Sequence, residues 1–265
     1  EQLIVANTHR TLLCFSNLGK VYWLKVYEIP QASRVAKGRP LVNLIQLDES
    51  ERITSLLNVE TFDSEGFVFM ATKNGVVKKT PIGDFKLPRK SGKRAIKLDN
   101  SDELVGTAIT SGTNDLMLIS DAGKAVYFNE KDARPMGRDT RGVKGITLEE
   151  KQSVIALIMP NNDNEILTVS ENGFGKRSKV EDFRKTKRGA KGVIAMQLSE
   201  RNGKLISANQ VSEENQVILI SNKGTLVRTK VSEISVIGRN TQGVRVIKLK
   251  ANEKLNGMAL AIEND

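Results

Sequence analysis

The sequence has very little of the residues that build disulfides, metal sites and catalytic triads. Its 265 residues contain one cysteine, Cys14, and one histidine, His9. A disulfide framework and a Cys/His zinc site are therefore excluded within one chain, and a Ser-His-Asp triad would have to use His9. Cys14 lies in the apolar run "LLCF" and is expected to be a buried thiol, whereas His9 is expected on the surface. A single thiol suits a reducing compartment, so we expect a cytoplasmic protein.

Aromatic residues and long apolar runs are scarce as well. Phe, Trp and Tyr make up 5% of the residues, which is too few for a base-stacking platform on single-stranded nucleic acid. No apolar run reaches the roughly 18 residues that a membrane-spanning helix needs, and no signal-peptide pattern opens the sequence, so no membrane partner is expected. No helix-turn-helix or zinc-finger spacing is present, and reading of base edges is not expected either.

Positive charge is abundant. Lys and Arg number 41 against 31 Asp and Glu, which gives a formal net charge of +10. This excess indicates a polyanionic partner such as nucleic acid. Composition alone is equally compatible with a soluble basic protein that has a solvated surface.

Two glycine landmarks recur along the chain at a steady spacing. The first, the hairpin glycine, follows a short apolar strand, and the second, the tail glycine, precedes an alternating apolar tail such as "RGVKGITL". The tails end on leucines that are 50 or 51 residues apart, which indicates five repeats. The hairpin glycines are Gly19, Gly75, Gly123, Gly173 and Gly224, and the tail glycines are Gly38, Gly92, Gly142, Gly192 and Gly243.

Each repeat divides into four candidate strands. In the third repeat they are residues 104–110, 115–120, 124–129 and 143–148, which are apolar or β-branched and bounded by turn residues. Short helices are expected near residues 130–136 and 179–183. Four strands per about 50 residues predict an all-β, propeller-like fold in one domain over residues 1–265, although a β-solenoid is an alternative. The expected repeats are residues 4–53, 54–104, 105–154, 155–205 and 206–255, with 256–265 as a closing strand and tail.

The cations concentrate around the tail glycines, so one register of the repeat carries a basic band. Such a band suits phosphate neutralisation on duplex DNA, which gives affinity without sequence preference. Acidic residues concentrate just after the tails instead. The candidate DNA-binding residues in this register are Arg34, Lys37, Arg39, Arg89, Lys90, Lys93, Arg94, Arg138, Arg141, Lys144, Lys185, Lys187, Arg188, Lys191, Arg239 and Arg245.

A second basic position follows the hairpin glycine. Residues two apart on a strand share a face, so cations at this position can point the same way. The alternative is that they are edge-strand charges that prevent aggregation between sheets. The candidates here are Lys78, Lys79, Lys176, Arg177, Arg228 and Lys230.

Several stretches of the sequence resemble a known family. They are "GKVYWLKVYEIPQASRVAKGRPLVNL", "FMATKNGVVKKT", "GFGKRS" and "GTLVRTKVSEISVIGRNTQGV". Together they resemble the C-terminal domain of bacterial DNA gyrase A, over essentially the whole chain. The resemblance implies a β-pinwheel, a propeller variant in which blades exchange strands with their neighbours. It also implies six blades, of which five are visible here, and a basic box Gln-Arg-Arg-Gly-Gly-Lys-Gly in the first blade, upstream of Glu1. The stretch "KRGAKG" (187–192) looks like a degenerate relative of that box.

The function implied by this resemblance is binding, bending and wrapping of double-stranded DNA, which gives gyrase, a type IIA topoisomerase, its ATP-dependent negative supercoiling. The chain itself is then not catalytic, because the family's catalytic tyrosine and ATPase site lie elsewhere. No cofactor is expected in this domain, whereas the holoenzyme is implied to need ATP and Mg²⁺. The implied partners are duplex DNA, the rest of gyrase A, and gyrase B in an A2B2 assembly, with the isolated domain monomeric and the enzyme associated with the nucleoid.

Three other interpretations remain at this point. The chain could be the equivalent domain of topoisomerase IV, which shares the blade plan but lacks the full box. It could be a protein-interaction propeller that binds through a face instead of a basic edge, although aromatic hot-spot residues are few. It could also be a propeller enzyme, although paired acid/base groups and metal ligands are missing from the pattern.

Overall fold

The structure is a computed structural model that describes residues 6–33, 36 and 38–261. Over these residues the chain forms short β-strands and single-turn 3₁₀ helices, and none of the described helices is long and apolar enough to cross a membrane. The strands are β1 (Thr11–Ser16), β2 (Lys20–Lys25), β3 (Ile53–Val59), β4 (Phe67–Thr72), β5 (Val76–Pro81), β6 (Lys93–Arg94), β7 (Leu104–Thr110), β8 (Asp115–Ser120), β9 (Lys124–Asn129), β10 (Val143–Lys144), β11 (Val154–Ile158), β12 (Glu165–Ser170), β13 (Phe174–Lys179), β14 (Val193–Ile194), β15 (Leu205–Val211), β16 (Gln216–Ser221), β17 (Leu226–Lys230), β18 (Val244–Arg245) and β19 (Leu255–Ala261). The 3₁₀ helices are Val26–Glu28, Leu41–Asn43, Ile82–Phe85, Glu130–Asp132, Val180–Asp182 and Val231–Glu233.

The strands form five antiparallel sheets, and the prediction of an all-β chain with five repeats is confirmed. Each sheet contains a hairpin, and the turn of that hairpin contains the hairpin glycine. The strand orders are β3-β1-β2-β6, β10-β5-β4-β7, β11-β8-β9-β14, β15-β12-β13-β18 and β17-β16-β19. Within the described residues the fifth sheet therefore has three strands instead of the four expected.

The four strands of one predicted repeat do not form one sheet. In the third repeat, β8 and β9 pair with each other, whereas β7 pairs with β4 of the preceding hairpin. The expected fourth strand, residues 143–148, is reduced to the two residues of β10, which join the sheet of β5. Consecutive repeats thus exchange strands, as the resemblance implied. Sequence periodicity shows where strands begin and end, but not which hairpin they pair with.

Four of the tail glycines, Gly92, Gly142, Gly192 and Gly243, are required because the tail runs very close to the preceding hairpin. Gly192 has φ +79°, and a Cβ atom there would lie 2.5 Å from the carbonyl oxygen of Ala125 on β9. Only glycine accepts both the left-handed backbone and this close approach without strain. Gly243 makes the equivalent approach, with 2.8 Å to the carbonyl oxygen of Gly175 on β13. The recurring Gly-Val pair in the sequence therefore marks the crossing from one sheet to the one before it.

The described residues fall into two compact units. One unit, residues 6–113 and 133–143, contains the hairpins of the first two sheets. The other, residues 114–132 and 144–261, contains the hairpins of the last three sheets. The single-domain assignment and the repeat boundaries stay predictions.

The core of each unit lies between consecutive sheets. Leu13 and Phe15 of β1 pack in one cluster with Val68 and Met70 of β4, and β12 packs with β16 in another. The central strands are buried on both faces, which explains why they read as continuous apolar runs and not as alternating patterns. Cys14 is buried as expected, and burial raises its pKa to about 12. The short helices expected near residues 130 and 180 are present as single 3₁₀ turns.

Candidate nucleic-acid interface

Four chain segments carry most of the predicted cations. We call residues 86–94, 134–144, 184–194 and 236–245 the basic loops. Each begins at or just after a 3₁₀ turn and ends in a two-residue tail strand on the preceding sheet. The corresponding segment of the first repeat contains Arg34 and Lys37, which lie outside the described residues, so the structure does not place them.

Backbone hydrogen bonds fasten three of these loops to the preceding hairpin. In each case the loop runs parallel to the second strand of that hairpin for one residue, four positions after the hairpin glycine. The bonds run from Met136 N to Lys79 O (2.8 Å), from Thr186 N to Tyr127 O (2.7 Å) and from Ile237 N to Arg177 O (2.9 Å). The loop cations are thereby held beside the edge of a sheet.

This docking encloses two of the predicted DNA-binding residues, Lys79 and Arg177. Each is 4% exposed. The Lys79 ammonium lies 5.0 Å from the centre of the Phe67 ring, and Arg177 Nε donates to the carbonyl oxygen of Ile234 at 2.7 Å. Both side chains are therefore buried at the positions where the loops dock, and they are not accessible to a phosphate backbone. The burial of Lys79 and Arg177 could not be predicted from the sequence, because it arises only when the following loop docks on the strand that carries each residue.

Lys78 and Lys176 are also inside the protein, with no exposed surface. Lys78 Nζ donates to the carbonyl oxygens of Ala95 (2.7 Å) and Thr140 (3.3 Å), and Lys176 Nζ donates to that of Arg239 (2.8 Å). Burial in a poorly solvated environment disfavours the charged form and lowers the pKa of each ammonium to about 8. These two candidates are corrected as well, since they support the loops from within.

A signal for this burial was present in the sequence. Lys78 and Lys176 stand three residues after their hairpin glycines, and the same position holds Tyr22, Val126 and Val227 in the other repeats. Two of the three are aliphatic, and Tyr22 is itself 1% exposed. A repeat position that is apolar in most repeats is expected to face the interior in all of them, including the two repeats in which it holds a lysine.

Three arginines of the basic loops are half-buried instead of exposed. Arg138, Arg188 and Arg239 each stand four residues before a tail glycine, and each donates through its guanidinium to backbone carbonyl oxygens. Their side chains are thus engaged with the protein. The sequence analysis placed these arginines among the DNA contacts because a repeated charge pattern does not distinguish an exposed arginine from one that is bonded to a backbone carbonyl oxygen.

The remaining loop cations are at or near the surface. Arg94 pairs with Asp139 (3.6 Å), Arg141 with Asp99 (3.0 Å) and Lys185 with Asp115 (2.5 Å), all in exposed or partly exposed pairs that contribute little stability. Lys93 is half-buried over the Trp23 ring at 5.8 Å, and Arg228 is exposed on β17. Among the described residues, the predicted cations that are exposed and make no ion pair are Arg39, Arg89, Lys90, Lys144, Lys187, Lys191, Lys230 and Arg245.

The acidic residues after the tails also have a structural role that the sequence pattern did not indicate. Four residues after the last tail leucine, the Glu253 carboxylate accepts hydrogen bonds from Ser221 Oγ (2.5 Å), Thr225 Oγ1 (2.6 Å) and Lys250 N (2.9 Å). These bonds lower the pKa of Glu253 to about 2. Glu51, at the same position in the first repeat, accepts from Tyr22 Oη at 2.8 Å. The acids that follow the tails therefore close turns and are only partly a solvent-exposed band.

Within the described residues, no group of three or more His, Cys, Asp or Glu side chains could hold a metal ion. The arrangement that stands out is instead a series of basic loops, each ending on a sheet edge and each presenting lysines and arginines to solvent. Such loops can neutralise phosphates without distinguishing bases.

Comparisons with known proteins agree with this geometry. The family model described as DNA gyrase C-terminal domain, beta-propeller, matches residues 10–60, 66–111, 114–161, 164–212 and 215–261. The DNA gyrase A protein of Salmonella typhimurium is 48% identical over 263 residues, which are 99% of this chain and 30% of that protein. The chain thus spans less than a third of the length of this curated relative.

Two solved structures share the fold. The C-terminal domain of DNA topoisomerase IV matches with a TM-score of 0.88 and 27% identity, over 96% of this chain and 80% of that one. The DNA gyrase A C-terminal domain matches with a TM-score of 0.81 and 29% identity, over 97% and 84% of the two chains. Because the family model covers all five repeats, the chain belongs to the family of DNA gyrase C-terminal, beta-propeller domains.

Proposed function

We propose that this chain binds duplex DNA through the exposed cations of its basic loops and bends or wraps the duplex along them. The observation that carries the proposal is that each of the four basic loops presents at least one exposed lysine or arginine that makes no ion pair with a described residue. Among the predicted cations they are Arg89 and Lys90 in the first loop, Lys144 in the second, Lys187 and Lys191 in the third and Arg245 in the fourth. Phosphates are the same at every base pair, so the affinity is independent of sequence. Each contact with a phosphate releases condensed counterions, so the affinity depends strongly on salt.

Several contacts are needed if the duplex is to follow successive loops. Bending 20–30 base pairs by 40–90° costs on the order of 1–6 kcal/mol, and phosphate contacts have to offset this cost. An exposed basic residue in each of the four basic loops can supply such contacts. The small aromatic content supports duplex over single-stranded DNA as the ligand.

The role of the whole protein follows from the family. We propose that the chain is the DNA-wrapping part of a DNA gyrase A protein, with the rest of gyrase A and, in an A2B2 holoenzyme, gyrase B as its partners. ATP and Mg²⁺ would serve that holoenzyme, and supercoiling would occur in the cytoplasm on nucleoid DNA. The chain contributes binding and not the chemical steps in this proposal.

A second candidate is the corresponding domain of topoisomerase IV. The TM-score of 0.88 to that domain favours it, whereas the curated relative at 48% identity is a DNA gyrase A protein. The two candidates share the blade plan, and the resemblance implies the full basic box for gyrase only.

The test is an equilibrium titration of the chain against duplexes of about 40 and about 150 base pairs at several salt concentrations. We expect binding to random sequences, tighter on the longer duplex, and a steep linear fall of log affinity with log salt. The variant with Arg89, Lys90, Lys93 and Arg94 all changed to Gln should bind every sequence more weakly and with a flatter salt dependence. Absence of binding at low salt, or salt-independent binding to a protein partner, would reject the proposal in favour of an interaction propeller.

A further inference from the structure

One arginine position in the repeat makes the same unusual contact three times. Arg138, Arg188 and Arg239 each stand four residues before a tail glycine. In every case the guanidinium reaches the carbonyl oxygen of the second residue after the preceding tail glycine. The bonds run from Arg138 Nη1 to Arg94 O (3.3 Å), from Arg188 Nη1 to Lys144 O (2.9 Å) and from Arg239 Nη1 to Ile194 O (2.9 Å).

A second hydrogen bond completes the contact in two of the three cases. Arg239 Nε donates to the carbonyl oxygen of Asp182 at 2.9 Å, and Arg188 Nε donates to that of Asp132 at 2.8 Å. Asp182 ends the 3₁₀ turn just before the basic loop 184–194, and Ile194 ends that loop. The guanidinium of Arg239 therefore joins the two ends of the loop that precedes its own.

The geometry suits arginine specifically. A guanidinium has five donors in a rigid planar fork and can bond two carbonyl oxygens in different directions at once. A lysine has its three donors on one nitrogen at the end of a flexible stem, whereas Arg239 bonds through two separate nitrogens, Nε and Nη1, whose spacing is fixed by the planar guanidinium. The role of Arg239 thus depends on the shape of its side chain as well as on its charge.

We infer that Arg239 is a positioning residue for the neighbouring DNA-binding loop: it holds both ends of loop 184–194, so that Lys187 and Lys191 are presented to phosphate in a fixed arrangement. Arg188 makes the same two-pronged contact with Asp132 and Lys144. The expected effect on DNA affinity rests on the proposed function. The pair of hydrogen bonds from Arg239 to Asp182 and Ile194, which we call the clamp, can be tested without DNA. Both arginines thereby have a role other than the phosphate contact that their charge suggests.

The first part of the test is hydrogen exchange of the free chain, comparing wild type with Arg239→Lys and Arg239→Gln. The amides of Thr186 and Ala195, which bond to the carbonyl oxygens of Tyr127 and Gly123, bracket loop 184–194. We expect both variants to exchange faster at these amides, while the strand amides of β4, in the other unit, keep their wild-type rates. Unchanged exchange at Thr186 and Ala195 in both variants would overturn the clamp.

The second part is DNA affinity as a function of salt and duplex length, measured well below the unfolding temperature. Because rigid linkage of binding sites raises their effective concentration, Arg239→Lys should lose about threefold to tenfold in affinity for a long duplex and much less for a short one. The matched control Lys187→Gln removes a charge from the same loop. It should lower the salt slope by about one on both duplexes and leave exchange unaltered.

The outcomes separate the inference from the proposed function. If Arg239 contacted phosphate directly, Arg239→Lys would bind like wild type and only Arg239→Gln would lose affinity and salt slope, which would overturn the positioning role. Faster exchange with unchanged DNA binding would overturn it as well. If wild type bound no DNA, the proposed function would fail, and the exchange rates alone would still support or overturn the clamp.

Discussion

The ammonium group of Lys176 lies 2.8 Å from the carbonyl oxygen of Arg239 and 3.1 Å from that of Gly238, inside the protein and without exposed surface. A charge from β13 thus satisfies two backbone oxygens of the next basic loop. Lys78 does the same for another loop. Basic residues in this chain therefore lie in two environments: some are buried against backbone oxygens, and others are exposed to solvent.

Replacing Lys176 with methionine is expected to destabilise the chain by about 1–3 kcal/mol, because two buried carbonyl oxygens lose their donor. Urea unfolding measures the difference. Lys179→Met is the matched control on the same strand, since Lys179 is exposed and its loss should cost less than about 0.5 kcal/mol. Equal stability of the two variants would show that the buried bonds do not support the loop.

The depressed pKa of Lys176 predicts how this contribution depends on pH. Burial lowers the pKa to about 8 in the folded chain from an ordinary value of 10.5. Between these values the unfolded chain holds more protons than the folded chain, so the free energy of unfolding rises with pH. Relative to Lys176→Met, wild type should therefore gain stability as the pH rises from the folded value towards the unfolded one. Comparison with the variant cancels the other titrating groups, and a constant difference would contradict the prediction.

Glu253 predicts a change at acid pH. Hydrogen bonds from Ser221, Thr225 and Lys250 favour its ionised form and lower its pKa to about 2, below the ordinary 4.5. As the pH falls, Glu253 takes up its proton in the unfolded chain at a higher pH than in the folded chain. The stability that the carboxylate contributes is therefore present above the ordinary pKa of 4.5 and is lost as the pH falls towards the pKa of the folded chain, about 2. Unfolding by urea across this range measures the loss, which should be smaller for Glu253→Gln. Glu214→Gln, at an exposed position, should retain the wild-type profile.

Substitution of two glycines that have the same φ distinguishes the cost of a steric clash from the cost of a left-handed backbone. Gly192 and Gly224 both have φ +79°, but a Cβ atom at Gly192 would meet Ala125 O at 2.5 Å, whereas at Gly224 nothing lies within 4 Å. Gly224→Ala should cost about 1–2 kcal/mol for the left-handed backbone alone. Gly192→Ala should cost about 1–3 kcal/mol more through overpacking. Thermal unfolding of the two variants is the measurement, and equal costs would mean that the tail can move away from β9.

The exposed loop cations predict the number of phosphates that are contacted. Changing Lys187 and Lys191 together to Gln should reduce the slope of log affinity against log salt by about 2. The charge-matched control changes Lys204 and Lys254 to Gln, which pair with Asp121 and Glu171 away from the basic loops. The control should keep the wild-type slope. If both double variants lowered the slope equally, net charge and not loop position would determine binding.

The repeat period, the strand positions and the turn glycines could be predicted from the sequence. Residues 104–110, 115–120 and 124–129 were predicted as strands, and they are strands β7, β8 and β9 with the same limits. Apolar runs bounded by turn residues determine these elements locally, so no tertiary information is needed. The concentration of cations before the tail glycines is likewise a property of the sequence.

The exposure of those cations could not be predicted in the same way. Lys187 and Lys176 look alike in a charge pattern, yet one is exposed and the other is fully buried against backbone oxygens. Arg239 and Arg245 stand in one loop, but the Arg239 guanidinium bonds to the backbone of Asp182 and Ile194. A charged side chain is buried where hydrogen-bond partners satisfy it. For Lys176 these partners are carbonyl oxygens of the next basic loop, which reach it only after that loop has crossed to the preceding sheet.

The sequence by itself determined that this chain is all-β, has five repeats and carries a basic residue set in a fixed register. Local apolar patterning and glycine positions suffice for that, because strands and tight turns depend on neighbouring residues. The tertiary structure decided which hairpin each tail strand joins and which lysines and arginines remain in solvent. Both depend on contacts between residues that lie a whole repeat apart in the chain, and only the folded chain brings these together.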